Sequence, residues 1–425
     1  MSELLVMEVD VLVVGGGTAG TVAAIQAARA GARTAVLERG PQLGGTMTTG
    51  GIAFPGLFHA WGRQIIAGIG WELVERTVAL GGGTLPDFSR PYGDRHWMHQ
   101  VRLNGALYAV VAEEACLEAG VRLLYYALPT GAHATEEGWV IEAIGKGVRY
   151  QIACRRLIDC SGDADVVAIA GYARERGEET QPGTLWFRLE GYDVEALEPE
   201  EVERRYRRAL AVGDLQPGDV AHVEGPFMGF LRSRGENAQH VFGADSSTAP
   251  AQTRANIAGR QSLLRLLRFV RSLPGCEHAH LAAMAPETGV RESYRIVGES
   301  TVTVADYIAG TVYPDAVCYA FYPVDVHTSA GVEPAPLREG VVPTVPLGAL
   351  IPKGSRDLVA AGRCVSSDRL ANSALRVQAP CMAMGQAAGA VASLAAELGV
   401  TPSGVTIAAL QSRLRAHGAI VPDIP

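Results

Sequence analysis

Gly15, Gly17 and Gly20 stand at G-x-G-x-x-G spacing between an apolar strand pattern, VDVLVV, and an Ala-rich helix pattern, TAGTVAAIQAARA. Glycine at the first position allows a tight turn. At the second it lets backbone approach a pyrophosphate, and at the third it lets helix and strand pack closely. The helix N-terminus that follows offers unpaired N–H groups and the positive end of a dipole to phosphate oxygens. Glu38 ends the next strand pattern, near the spacing of about 20 residues at which a carboxylate accepts from ribose hydroxyls. This set can hold an adenine dinucleotide with a free ribose diol.

Other residues could act on a substrate. In GVRESYRIVGE, Arg291 and Arg295 are spaced i,i+4, which is one face if the segment is helical. They either clamp a carboxylate or other anion through planar bidentate contacts, or pair with local acids such as Glu292 and Glu299. His327 in YPVDVHTS has an ordinary pKa near 6.5, suited to proton transfer at neutral pH. Asp325, two positions earlier, shares its face on a strand and could orient the imidazole. His59 in FHAW either faces a cofactor or packs in an aromatic corner, and His96 and His99 read as surface or packing residues. The seven cysteines show no C-x-x-C pair and no metal-like spacing, so no metal site is expected. Cys154 and Cys160 read as buried small hydrophobes rather than a redox pair.

These groups must be positioned by a large chain. At 425 residues it exceeds the size at which one core stops growing, about 250–300 residues, so two intertwined domains are expected. Hydrophobic content of 48%, charged content of 19% and mean hydropathy of +0.12 are those of a globular enzyme. The net charge of −8 argues against nucleic acid, whose phosphates need clustered cations. Lysine occurs only at Lys146 and Lys353, leaving a Schiff-base mechanism few candidates. No apolar run reaches the length of about 18 residues that a membrane span needs, and no basic region precedes the first apolar stretch. A cytoplasmic protein without a membrane span is expected.

Along the chain, helix patterns cover Gln64 to Leu80, Leu103 to Ala119, Glu198 to Val212 and Gln252 to Ser272. Strand patterns VRLLYYAL, WVIEAIG and VRYQIACRRLIDC follow one another at meander spacing, and SGDADV forms a second glycine turn. The expected organisation is a first nucleotide-binding part at 1–171, an inserted substrate domain at 172–345 and a returning nucleotide-binding part at 346–425. That return carries the strand DLVAAGRCVSS and the helix CMAMGQAAGAVASLAAELG. A second doublet, Gly44-Gly45, and this late helix suggest a long ligand gripped at both ends, which fits FAD better than NAD.

The chain resembles the FAD-dependent oxidoreductases of the glutathione-reductase-like superfamily. Within them it is similar to a bacterial subgroup marked by the C-terminal block AAGRCVSSDRLANSALRVQAPCMAMGQAAG, with LGGTMTTGG, LIDCSGDADV, GVRESYRIVGE and YPVDVH elsewhere. The resemblance implies an α/β fold: a three-layer Rossmann-like FAD-binding domain with a parallel sheet and β-meander, and an inserted α+β substrate domain. It places the pyrophosphate on Gly15, Gly17 and Gly20, with Thr18 and Ala19 alongside, and the adenosine ribose on Glu38, beside Arg39. Gly44, Gly45 and Thr46 would take the ribityl side, and Ser161, Gly162 and Asp163 the turn over the adenosine end. Gly362 and Arg363 would lie near the pyrophosphate and ribityl chain, while Cys381, Met382 and the residues to Gly385 would present helix N–H groups to the flavin. Two positions depart from the pattern: Leu43 where many relatives have Arg, and Arg363 where many have Asp.

The function expected is an FAD-dependent oxidoreductase or dehydrogenase moving a hydride between non-covalent FAD and a small polar or anionic substrate. Its catalytic residues would come from His327, Asp325, Arg291 and Arg295. Two alternatives stand beside it: a flavin-dependent reductase of an isoprenoid or lipid, and a flavin-binding RNA-modifying or redox-scaffold protein. The expected partners are a small-molecule substrate and an electron donor or acceptor of open identity. No nucleic-acid partner is expected, and a homo-oligomer is compatible with the sequence.

Overall fold

The computed structural model describes residues 3–91, 95–221, 226–328 and 331–424, with the side chains of 331–334 left aside. A strand β1 (Glu3–Val14), a helix α1 (Thr18–Arg29) and a strand β2 (Thr34–Glu38) open the chain. Then come β3 (Arg122–Tyr125), β4 (Ala127–Ala134), β5 (Trp139–Gly145) and β6 (Val148–Asp159). Strands β3, β2, β1 and β6 lie side by side and parallel. The far edge of β6 is shared. Its first half pairs antiparallel with β5, and its last residues, Leu157 to Asp159, pair parallel with β7 (Leu358–Ala360). β4 pairs antiparallel outside β5, completing the expected meander. The run read as one strand, VRLLYYAL, is broken by Tyr126, whose φ of 56° turns the chain between β3 and β4.

Both faces of β1 are covered, which is why its end reads as continuous hydrophobics rather than as an alternation. Val11 and Val13 face one core with α1, while Leu12 and Val14 face a second with Trp139 and Ile141 of the meander. The helix face carries α2 (Gln378–Leu398), which lies directly on α1. By length and composition α2 could cross a membrane, but it is buried against α1 and the sheet as a core helix. Its glycines allow that approach. A Cβ at Gly385 would collide with the Ala19 carbonyl oxygen, and one at Gly389 with that of Ala23. The small residues of this helix therefore serve helix–helix contact.

The insertion has a core of its own, drawn from residues between Leu185 and Ala285. It packs helices Pro199–Val212 and Ala249–Arg271 against a small sheet in which Phe187–Glu190 pairs with His280–Met284. From Val302 to Val345 the buried side chains join the α1/α2 core instead, so the independent core is narrower than the 172–345 segment. Replacing Gly389 with Ala should lower stability by about 1–3 kcal/mol, the usual cost of overpacking, despite alanine's better helix propensity. Urea unfolding of the purified protein checks this, and an unchanged midpoint would mean that α1 and α2 separate easily.

Candidate functional site

The first glycine turn is built as its spacing implies. Gly15 has φ of 96°, its N–H donates to Leu37 O at 2.8 Å, and a Cβ there would strike the Cys160 carbonyl. A Cβ at Gly20 would overlap the Gly15 carbonyl, so helix and strand touch through backbone. Gly17 is the N-cap of α1 with no side-chain cap, and a Cβ there would meet only Gly45 Cα, at 4.0 Å. The N-terminus of α1 is therefore uncapped at Gly17, ahead of buried Thr18 and Ala19, and its N–H groups suit a pyrophosphate.

Other turns converge on this one. Gly44 N–H donates to Gly16 O at 2.8 Å, and a Cβ on Gly45 would lie 2.9 Å from Gly17 Cα, so the second doublet docks on the first loop beside Thr46. Leu43 is fully buried beneath Gly16 and supplies packing just before the second doublet. Glu38 accepts from the N–H groups of Gly16 and Gly40, both at 2.6 Å. Burial pushes its carboxyl above the ordinary range, and its remaining lone pairs suit a ribose diol. Arg39 is half exposed and pairs with Glu287 at 3.1 Å.

The second turn is held from beneath by buried Asp159, whose Oδ1 accepts from Ser161 N–H at 2.9 Å and Ser161 Oγ at 2.7 Å. Gly362, with φ of 100°, sits against Ala19. Two expected contacts are redirected. Asp163 Oδ1 accepts from Arg363 Nη2 at 2.6 Å and Ser246 Oγ at 2.7 Å, and from Ser293 Oγ. Arg363 also donates to Gly162 O and Val290 O. Both side chains lock the turn to the insertion.

The α2 contacts need correction. Cys381 N–H is bonded inside the helix to Val377 O at 3.0 Å, Met382 packs against Gly70, and Gly385 faces α1. None can offer an N–H outward as expected. The helix begins earlier, at Gln378, so its open end lies three residues before Cys381.

Asp325 and His327 share one face of the strand Val324–Thr328, as their spacing implies, with His327 Nε2 3.2 Å from Asp325 Oδ2. The segment after Gly289 is not a helix, and the two arginines part. Arg295 pairs with Glu292 at 3.3 Å, and Glu292 also takes Arg369 at 3.2 Å. Arg291 instead donates to Pro182 O at 2.6 Å and Asn237 Oδ1 at 3.3 Å. Among the described residues no carboxylate lies within ion-pair distance of it. Burial first, then the charge of Arg376, brings its pKa down to about 9.

Sequence reasoning missed three contributors. Arg376 follows the helix Arg369–Leu375, where its Nη2 lies 3.7 Å from Asp325 Oδ2 and 3.3 Å from Gln181 Oε1. Its motif, ALRVQ, was visible in the C-terminal block, but no role attached to it. Gln181 also accepts from His327 N–H at 3.1 Å. Among the described residues, Gln181 Nε2 and Arg376 Nε are both buried without a hydrogen-bond partner. The third, His240, places Nε2 2.9 Å from His327 Nδ1 and had no local signal.

Burial, then Arg291, depresses His327 to about 4. Burial alone would raise Asp325, yet the His327 hydrogen bond and the guanidiniums bring it down to about 2. His59 is in an aromatic corner, stacked on Phe88 at 3.7 Å, and burial followed by His99 lowers it to about 4.

A family model described as FAD dependent oxidoreductase matches residues 10–414. Digeranylgeranylglycerophospholipid reductase 1 of Methanothermobacter thermautotrophicus is 27% identical over 206 residues, which are 45% of this chain and 49% of that protein. The chain thus spans about half the length of this curated relative. Among solved structures, a geranylgeranyl bacteriochlorophyll reductase-like protein from Thermoplasma acidophilum aligns over 97% of this chain and 83% of its own, at 14% identity and TM-score 0.47. The flavin-dependent monooxygenase PieE, solved with FAD and substrate, aligns over 43% and 35%, at 20% identity and TM-score 0.31.

His59 and His327, both depressed from an ordinary 6.5 to about 4, give a pH prediction. Below pH 6.5 the unfolded chain binds protons that the folded chain refuses, so stability falls as pH drops toward 4. Thermal melts between pH 7 and pH 5 should show this fall, and His59→Phe should reduce its slope. An identical slope in the variant would contradict the burial of that imidazole.

Proposed function

Because the chain belongs to the FAD-dependent oxidoreductase family, we propose that it moves a hydride between FAD and a small polar, anionic substrate held by Arg291 and Arg376. One observation carries this reading: two buried guanidiniums, Arg291 and Arg376, lie near the Asp325 carboxylate, and among the described residues Arg376 Nε has no acceptor. A substrate carboxylate would supply the missing charge and accept from Arg376 Nε and Gln181 Nε2. Asp325 and His327 form the acid–base pair, with one proton between carboxylate and imidazole. FAD, held without a covalent bond by the three glycine turns, supplies the two-electron chemistry. Arg295, tied to Glu292, orients the segment that carries Arg291.

Within the family we place the chain in the glutathione-reductase-like superfamily, on the quoted C-terminal block. Its seven cysteines, all free and buried, fit a reducing cytoplasmic compartment. A second reading, reduction of an isoprenoid lipid, is favoured by the 27% identity to the Methanothermobacter reductase.

Anaerobic bleaching of the flavin by small carboxylate substrates tests the first reading, and bleaching only in the presence of a geranylgeranyl lipid favours the second. With a competent carboxylate substrate, Arg291→Ala should raise KM by about 10- to 150-fold, the worth of a lost charged hydrogen bond, with FAD content kept. His327→Ala should mainly lower kcat. Loss of FAD in either variant would move that residue into the cofactor shell. Heating should release free FAD into solution.

A further inference from the structure

His240 comes from the insertion, where its N–H donates to Gly218 O at 2.8 Å, and it meets a strand that belongs to the other core. The His240 and His327 rings cross at 69° with centroids 5.1 Å apart, and their facing nitrogens, 2.9 Å apart, share one proton. On the opposite side of His327, Nε2 faces Asp325, and an ionised carboxylate can only accept. Nε2 must therefore carry hydrogen. Two states satisfy both contacts: a neutral His327 whose Nδ1 accepts from His240, or an imidazolium that donates to both neighbours.

The surroundings decide between them. Among the described residues, the titratable and charged groups near His327 are Asp325 on its own strand, Arg376 after the helix Arg369–Leu375, Arg291 and His240 from the insertion's edges, and the neutral phenol of Tyr322. Two guanidiniums against one carboxylate already leave a positive excess, and a third cation would be repelled in a buried site.

We propose that His240 is a positioning residue that sets the charge of this pocket: it donates Nε2–H to His327 Nδ1 and holds His327 as the neutral Nε2–H tautomer. Among the described residues the pocket then carries the charges of Arg291, Arg376 and Asp325, one net positive charge, with Glu292 beside Arg376 already shared by Arg295 and Arg369. It therefore selects a substrate group with one negative charge, such as a carboxylate, over a dianion. With both ring nitrogens engaged, His327 exchanges a proton with substrate through Asp325, the other half of the acid–base pair. The selection rests on the reading of Arg291 and Arg376 as the substrate site, whereas the tautomer does not.

The test uses the FAD-loaded full chain with nitrogen-15-labelled histidine, the His327 resonances being identified by their loss in His327→Gln. NMR should show one protonated and one unprotonated ring nitrogen on His327, unchanged between pH 8 and pH 5.5. His240→Gln, whose amide can still donate, should preserve that pattern, and His240→Glu, which can only accept, should convert His327 to the doubly protonated form at pH 7. Two protonated nitrogens on His327 in the unmodified protein would overturn the proposal, whatever the variants do. Acetate should perturb the flavin absorption with an affinity at least about tenfold above that of sulfate. Equal or reversed affinities, with the tautomer intact, would overturn the charge selection and the substrate-site reading while leaving the neutral His327 in place.

Discussion

Contact of backbone with backbone at glycine is the constraint on which this structure depends. Gly20 lies against the carbonyl of Gly15, Gly15 against that of Cys160, and Gly385 against that of Ala19. Each contact is closer than any side chain permits. Together they draw the ends of β1 and β6 and the helices α1 and α2 to one place, the carboxyl end of the parallel strands, where open α/β sheets bind ligands. The cradle we propose for FAD is what remains when these backbones are pressed together: an uncapped helix end at Gly17, approached by Gly45 Cα at 4.0 Å, and a partly buried carboxylate at Glu38. The same contacts leave little freedom in how α2 sits, and so in where Arg376, two residues before it, enters the site.

Charge gives the second half of the account. Burying a guanidinium costs several kcal/mol unless a partner compensates. Arg363 has that compensation in Asp163, and Arg295 and Arg369 share Glu292. Arg291 is different, because its partners are neutral oxygens of Pro182 and Asn237. Together with Arg376 it leaves a positive excess around Asp325 among the described residues. An enzyme gains from this only if a ligand brings the opposite charge. The neutral state of His327 follows from the same excess, so the proton arrangement and the anion preference have one cause.

The fold was largely legible in the sequence because its long elements are strongly periodic. β5 and β6, the helix Ala249–Arg271 and the glycine turn of α1 follow from local pattern alone. What failed was local reasoning about segments whose conformation is decided at long range. GVRESYR has helical spacing of its arginines, yet successive side chains are each claimed from elsewhere: Arg291 by Pro182, Glu292 by the Gln181 N–H, Ser293 by Asp163. A helix would face them all wrongly. The resemblance assigns Cys381 to Gly385 to the flavin, whereas the small residues there permit close approach of any group, and spacing cannot say that the approaching group is α1. Asp325 and His327 were legible because a strand's period of two joins them. Their partner His240 lies 87 positions away from His327 and belongs to another core, so no window of sequence contains the pair.

The account stands on FAD and a carboxylate meeting at Arg291 and Arg376. A crystal structure of the FAD-loaded protein soaked with acetate tests that most directly. The acetate carboxylate should bridge the two guanidiniums and lie over the isoalloxazine ring. An isoalloxazine ring remote from both arginines, or acetate bound only elsewhere, would contradict it.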